Sequence, residues 1–239
     1  MPTFQARVLH LSMPRLAIKI IHEDRDLIVV NKPEGLLTVP IPGSRVINLF
    51  DILKQEYPQS PIYVVHRIDR YTSGIVLFAR SKTGFLSLKK QFTEHTAQRM
   101  YLAVVKGRLE HAEGTLEHTL KQVKSGFKNI LTSEKDPAGT PARLHYRLVE
   151  AIGEQASIVE IMLDTGLKNQ IRVQFSAIQH PILGDRQYGE PSTQALIARQ
   201  ALHASALGVV HPRSGQQQWY KSPIPKDITL LISQLKRLD

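Results

Sequence analysis

The segment IYVVHRIDRYTSGIVLFA, residues 62–79, contains a polar loop between two runs of residues that favour β-strands. Branched and aromatic side chains dominate residues 62–65 and 75–79, whereas residues 66–74 are mostly polar. A loop that joins two strands lies at the edge of a sheet, where its side chains can reach solvent. The segment therefore predicts a sheet that carries functional groups at one edge.

One carboxylate stands out in this loop. Asp69 lies between Arg67 and Arg70, and a positive field favours the ionised form of a carboxyl group. Thr72 and Ser73 follow with hydroxyls and backbone donors. Two interpretations of Asp69 stay open on spacing alone: an ion-paired turn, which most loop aspartates form, and a catalytic carboxylate.

The remainder of the chain predicts more strands than helices. Apolar residues at helical spacing predict helices over 46–57, 82–95, 169–179 and 223–238, the first with Ile47, Phe50, Leu53 and Tyr57 on its apolar face. Residues 17–35, 98–107, 115–163 and 205–212 read as strands and turns. Strands and helices do not alternate one for one. The sequence therefore predicts an α+β fold with a mixed, mainly antiparallel sheet.

Composition limits the class of protein. The 239 residues include no cysteine, and the formal net charge is +10. A basic chain favours nucleic acid or an acidic membrane as partner, although the charge can also serve solubility alone. No apolar run approaches the length needed to cross a bilayer. We expect a soluble, cytoplasmic protein with an N-terminal extension over 1–15, followed by one large domain or two small ones.

Two further residues are candidates for a site. Arg172 follows Ile171 in a predicted helix, so its guanidinium should be partly buried and needs an anionic partner. That partner could be Asp69, an RNA phosphate, or a structural ion pair with Asp164 or Asp185. Tyr101 lies in a predicted strand, where it is either a core residue or a ring that faces a bound base.

Four motifs in order resemble the RluA family of pseudouridine synthases. HRIDRYTSGIVLFARS is similar to the family signature H-R-L-D-x-x-T-S-G. IIHEDRDLIVVNKPEGL, TGLKNQIRVQ with HPILGDRQYG, and ALHASALGVVHP resemble the other three. The resemblance covers nearly the whole chain and implies a pseudouridine synthase fold, with helices flanking the sheet and a central catalytic cleft. It also implies a single catalytic domain over 16–239, in a short form without an N-terminal S4 domain.

The resemblance implies roles for four residues. Asp69 would be the catalytic aspartate, which either attacks the sugar or removes the C2′ proton. Tyr101 would stack on the target base, and Arg172 would pair with the aspartate. Arg67 would fill the gap that the flipped base leaves in the RNA.

The predicted RNA-contacting residues come from the same motifs: Arg67, Arg70, Thr72, Ser73, Lys168, Asn169, Gln170 and Ile171. The resemblance implies no metal and no cofactor, a structured ribosomal or transfer RNA as partner, and no membrane. A monomer is the expected state.

This chain departs from the family pattern at several positions. Ile68 replaces a leucine, and Tyr71 stands where an acidic residue is common. In the third motif Leu167, Asn169 and Gln174 replace more frequent basic residues. The departures concern residues around the catalytic ones, so they bear on substrate contacts more than on the chemistry.

Three other classes of protein compete with this interpretation. A non-catalytic RNA-binding protein would need the charge but not the candidate catalytic residues. A kinase would need a glycine-rich phosphate loop and a D-F-G metal site, and the sequence has neither. A metal-dependent hydrolase would have to use His66, His203 and His211, whose spacings fit no helical ligand pair.

Overall fold

A computed structural model describes residues 8–10, 17–123 and 128–238. The predicted extension over 1–15 lies outside these ranges apart from residues 8–10. The described strands are β1 (Val8–His10), β2 (Ala17–Glu23), β3 (Leu27–Lys32), β4 (Tyr63–Val64), β5 (Ser73–Ala79), β6 (Gln98–Lys106), β7 (Glu113–Gln122), β8 (Asn129–Thr132), β9 (Thr140–Ile152), β10 (Ala156–Leu163), β11 (Leu202–Val210) and β12 (Gln217–Lys221). The described α-helices are α1 (Leu49–Glu56), α2 (Lys82–Thr93), α3 (Gln170–Ala177) and α4 (Lys226–Leu238). This content confirms the predicted α+β class.

The chain divides into two compact units. Of the described residues, the first unit contains 8–10, 17–98 and 204–223, and the second contains 99–123, 128–203 and 224–238. The single catalytic domain expected over 16–239 stays a prediction.

The first unit is built around β5, all seven residues of which are buried. β3 pairs with β5 in antiparallel register from Leu27 opposite Ala79 to Lys32 opposite Gly74. β2 pairs with β1 and β3, β4 with β5, and β12 with β11, again antiparallel. β11 lies beside β5. Apolar side chains from these strands and from α2 form the core of the unit.

Helix α1 is shorter than predicted, and its buried face is different. Asn48 caps the helix by accepting a hydrogen bond from the backbone N–H of Asp51, so Ile47 precedes the helix and is exposed. Its buried residues are Leu49, Ile52 and Leu53. The predicted face that included Ile47 was therefore wrong, because the capping asparagine sets the helix start at Leu49, three residues later than predicted.

The second unit contains a meander of long antiparallel strands. β10 pairs with β6 on one side and with β9 on the other, and β7 pairs with both β9 and β8. The predicted run of strands over 115–163 is thus confirmed as β7 to β10. Helix α4 is attached to this unit by the Gln155 amide, which donates to the Leu235 carbonyl at 3.0 Å.

Within the described residues, no helix has the length and apolar character that a membrane span requires.

Candidate active site

The loop that carries Asp69 ends in a tight turn at the start of β5. The backbone N–H of Thr72 donates to the carbonyl oxygen of Asp69 at 3.2 Å, which places Arg70 and Tyr71 at the two corners. Asp69 is half-buried, Thr72 and Ser73 are buried, and Arg67 is exposed. Asp69 therefore lies between the buried residues at the end of the loop, Thr72 and Ser73, and an arginine that faces solvent.

Two side chains fix the residues that lead to Asp69. The Thr38 hydroxyl donates to the Ile68 carbonyl at 2.9 Å and lies 3.3 Å from the Ile68 N–H, which donates to it. His66 stacks on Phe92 with 4.4 Å between ring centroids, and its Nε2 accepts the N–H of Leu77 at 2.9 Å. His66 thus has a structural role in the loop, with Nε2 as the unprotonated nitrogen.

A buried lysine that was not predicted from the sequence supports the loop that carries Asp69. Lys32 is 0% exposed, and its Nζ donates to the carbonyls of Pro33 at 2.9 Å, Leu36 at 2.8 Å and Arg70 at 3.0 Å. A buried ammonium is tolerated only with such compensation. The turn that follows β3, residues 33–35, is thereby held against the turn that contains Asp69. A charged residue at the end of an apolar strand was the signal in the sequence.

We expect Lys32→Met to lower the free energy of unfolding by about 3 kcal/mol, because three carbonyls, one of them in a fully buried hydrogen bond, lose a charged donor. Urea unfolding measures the change. The matched control is Lys89→Met on the exposed face of α2, which should shift stability by less than about 0.5 kcal/mol. Equal stability of the two variants would contradict the role given to Lys32.

Gly74 explains why the signature ends in glycine. Its φ is +111°, and a Cβ at this position would overlap the backbone of Ala204 on β11. Only glycine tolerates both this conformation and such a close approach of two strands. The turn that carries Asp69 can therefore lie directly against the neighbouring strand.

Arg172, in the first turn of α3, forms a buried bidentate ion pair with Asp185. Its Nε donates to Oδ2 at 2.6 Å and its Nη2 to Oδ1 at 2.7 Å, with the two side chains 9% and 1% exposed. The Arg172 Cζ also lies 5.0 Å from the centroid of the Tyr188 ring. One of the ion pairs considered from the sequence is therefore present, and it fixes the plane of the guanidinium.

Asp185 does more than pair with Arg172. Its Oδ1 accepts the backbone N–H groups of Gln187 at 2.9 Å and Tyr188 at 3.1 Å. The Tyr188 hydroxyl in turn donates to the Asn129 carbonyl at 2.9 Å and accepts the Asn129 N–H at 3.0 Å. The GDRQYG segment is thus folded around one carboxylate that also aims an arginine.

The residues before Arg172 have mainly internal contacts. The Gln170 side chain is buried, accepts the N–H of Leu167 at 3.0 Å and donates to the Arg143 carbonyl at 3.1 Å. Asn169 is buried with a φ of 56°, a left-handed conformation that asparagine tolerates. Ile171 is also buried, whereas Lys168 is half-buried. The RNA contacts predicted for these four residues stay predictions.

Tyr101 is a buried residue of β6, opposite Ile161 on β10. Its default position in the core is therefore the one observed. The predicted stacking of this ring on a base stays a prediction.

A cluster of Asp24, Asp26 and His211 is the one group of possible metal ligands within the described ranges. Arg213 pairs with Asp26 at 2.6 Å and 3.0 Å, and the His211 Nε2 lies 2.9 Å from the Asp24 carboxylate. Burial alone would raise the pKa of Asp24, but hydrogen bonds from His22, His211 and two backbone N–H groups hold it well below its usual range. The cluster is accordingly an ion-pair network.

Comparison with solved structures identifies the fold. The chain is similar to the structure of human RNA pseudouridylate synthase domain containing 4, with a TM-score of 0.74 and 20% identity over 91% of this chain and 92% of that one. The fold is therefore that of the RNA pseudouridylate synthases.

Comparison with sequences identifies the family. The family described as RNA pseudouridylate synthase matches residues 26–177. The dual-specificity RNA pseudouridine synthase RluA of Escherichia coli is 35% identical over 208 residues, 85% of this chain and 92% of the relative. The ribosomal large subunit pseudouridine synthase D of Nitrosomonas europaea is 33% identical over 234 residues, 93% of this chain and 67% of the relative.

The chain belongs to the RNA pseudouridylate synthase family, and the resemblance to the RluA family is confirmed. It is an isomerase of the class that converts uridine in RNA to pseudouridine.

Proposed function

We propose that the protein modifies uridines in large-subunit ribosomal RNA, in transfer RNA, or in both, as a cytoplasmic monomer without metal or cofactor. The observation that carries the proposal is the turn of residues 69–72, which presents the Asp69 carboxylate within the family signature. The name of one relative specifies the large ribosomal subunit, which supports ribosomal RNA, and the name of the other specifies dual specificity, which supports more than one class of RNA.

The reaction requires the target base outside the stack. Extruding a base costs a few kcal/mol, which contacts between basic side chains and phosphates can offset. The formal charge of +10 supplies such side chains, and Arg67 is an exposed one beside Asp69. In the proposal Arg67 occupies the space that the flipped base leaves.

Asp69 then acts on the sugar while the C1′–N1 bond breaks. Its carboxylate either adds to C1′ or removes the C2′ proton, and both routes release uracil, which must rotate before it rejoins the sugar. C5 of the rotated base then bonds to C1′ while the Asp69–C1′ bond breaks in the first route, or while the proton returns to C2′ in the second. The C5 proton leaves and N1 gains a proton, so the product is an isomer of the substrate and Asp69 is regenerated. Tyr101 would stack on the base and help to remove the C5 proton, and Arg172 would keep Asp69 ionised and aimed.

Loss of the C5 proton gives a direct test. Purified protein is incubated with bulk transfer RNA and with a large-subunit ribosomal transcript, each carrying tritium at C5 of uridine. We expect release of tritium to water from at least one RNA, unchanged by a chelator. Binding of both RNAs with no release from either would favour the non-catalytic RNA-binding protein, and loss of release with chelator would favour a metal-dependent enzyme.

A further inference from the structure

Tyr71, next to the proposed catalytic residue, is an aromatic side chain turned towards solvent. It occupies the second corner of the turn from Asp69 to Thr72, and the side chain is 45% exposed. Large aromatic side chains are usually buried, so an exposed one at a functional loop is informative. In the sequence, Tyr71 stands where an acidic residue is common in the family, and the resemblance assigns it no role.

The ring of Tyr71 is held by Arg70. The Arg70 Cζ lies 5.3 Å from the ring centroid, a cation–π distance. Arg70 is itself fixed at two points, since its Nε donates to the Gly35 carbonyl at 2.8 Å and its own carbonyl accepts from Lys32 at 3.0 Å. A ring that is positioned before binding loses less conformational entropy when a ligand stacks on it.

The chemistry of the pair suits a nucleobase. Stacking on an aromatic ring is the main way in which proteins bind unpaired bases of any sequence, and an adjacent guanidinium adds attraction to the base and to its phosphate. A basic chain of the RNA pseudouridylate synthase family brings RNA to this loop. An apolar protein partner would gain nothing from the guanidinium beside the ring.

We propose that Tyr71 and Arg70 form a stacking subsite for a nucleobase that neighbours the target uridine. Two residues span at most about 7 Å of backbone, so a base on Tyr71 belongs to a nucleotide close to the one at Asp69. The inference rests on the proposed function for the identity of that nucleotide. It makes Tyr71 a residue that determines RNA affinity and the choice of site, without a part in the chemistry.

The test compares Tyr71→Ala and Tyr71→Phe with the wild type. Binding of bulk transfer RNA and of the large-subunit transcript is measured at a salt concentration that screens most phosphate contacts. We expect Tyr71→Ala to raise the Kd for the substrate RNA about tenfold, which corresponds to the loss of one stacked base. Tyr71→Phe keeps the ring and should have the same Kd as the wild type.

Trp219→Ala is the matched control, because Trp219 is an equally exposed aromatic residue of the same unit, 47% exposed on β12. A similar rise in Kd for this control, or a wild-type Kd for Tyr71→Ala with both RNAs, would overturn the subsite. Binding does not need turnover, so this result is independent of the tritium assay. Tritium release by the wild type together with an unchanged Kd for Tyr71→Ala would refute the subsite and leave the proposed function intact.

A second measurement locates the base. In the RNA that releases tritium, the nucleotides 5′ and 3′ of the target are replaced one at a time by abasic residues. At one of these positions the abasic residue should lower the affinity of the wild type about tenfold. The same replacement should not lower the affinity of Tyr71→Ala any further. Full additivity of the protein and RNA changes at both positions would contradict the contact.

Discussion

Asp69→Asn is expected to lower the rate of pseudouridine formation by at least about 10³-fold, while the Kd for RNA changes by less than about threefold. The substitution keeps the shape of the side chain and removes its charge. A neutral amide can neither attack the sugar nor accept a C2′ proton, so both mechanisms predict the loss. Single-turnover tritium release measures the rate, and filter retention of labelled RNA measures the binding.

The control for this substitution is Glu34→Gln. Glu34 is an exposed acidic residue in the turn after β3. The residue that follows it, Gly35, accepts a hydrogen bond from Arg70. Glu34→Gln should keep the wild-type rate. A rate for Asp69→Asn within tenfold of the wild type would remove Asp69 from the chemistry, whereas a parallel loss of RNA binding would make it a positioning residue.

Asp185→Ala is expected to reduce the free energy of unfolding by about 3 to 5 kcal/mol, the usual cost of removing one partner of a buried ion pair. The substitution takes the bidentate acceptor from Arg172 and an acceptor from the N–H groups of Gln187 and Tyr188. Urea unfolding of the purified variant measures the change. Asp185→Asn keeps one acceptor oxygen and should lie between the wild type and the alanine variant, which protects the test if alanine prevents folding.

Asp164→Ala gives the comparison with a more exposed pair in the same unit. The Asp164 side chain is 38% exposed, and its carboxylate lies 3.2 Å from the Arg143 Nε and 3.0 Å from the His145 Nε2. Pairs of this kind contribute up to about 1 kcal/mol. A loss below about 1 kcal/mol for Asp185→Ala, or equal losses for the two substitutions, would contradict the importance of the buried pair.

The sequence predicted the parts of the fold that depend on local pattern. The two strands around Asp69 and the run of strands over 115–163 are observed, because runs of residues that favour β-strands determine them locally. The face of α1 was predicted wrongly because one capping side chain, Asn48, determines where the helix begins. The family was predicted from four motifs that occur in the family's order along the chain, and not from local structural pattern.

The contacts that hold the candidate site were beyond prediction from local pattern. Lys32 donates to the carbonyl of a residue 38 positions away, and Arg70 donates to one 35 positions away. Such contacts depend on which strands become neighbours. For Arg172 the sequence could only require an anionic partner, and the structure shows that Asp185 is one. The roles of Asp69, Tyr101 and Arg172 in catalysis still come from the family resemblance.

The most direct test of the central claim is the nucleoside composition of RNA after incubation with the protein. The RNA that releases tritium is digested to nucleosides, and uridine and pseudouridine, which have equal mass, are separated by chromatography. We expect the wild type to form one pseudouridine for each uridine that disappears, and Asp69→Asn to form none. Unchanged nucleosides with bound wild-type protein, or the same yield from Asp69→Asn, would contradict the central claim.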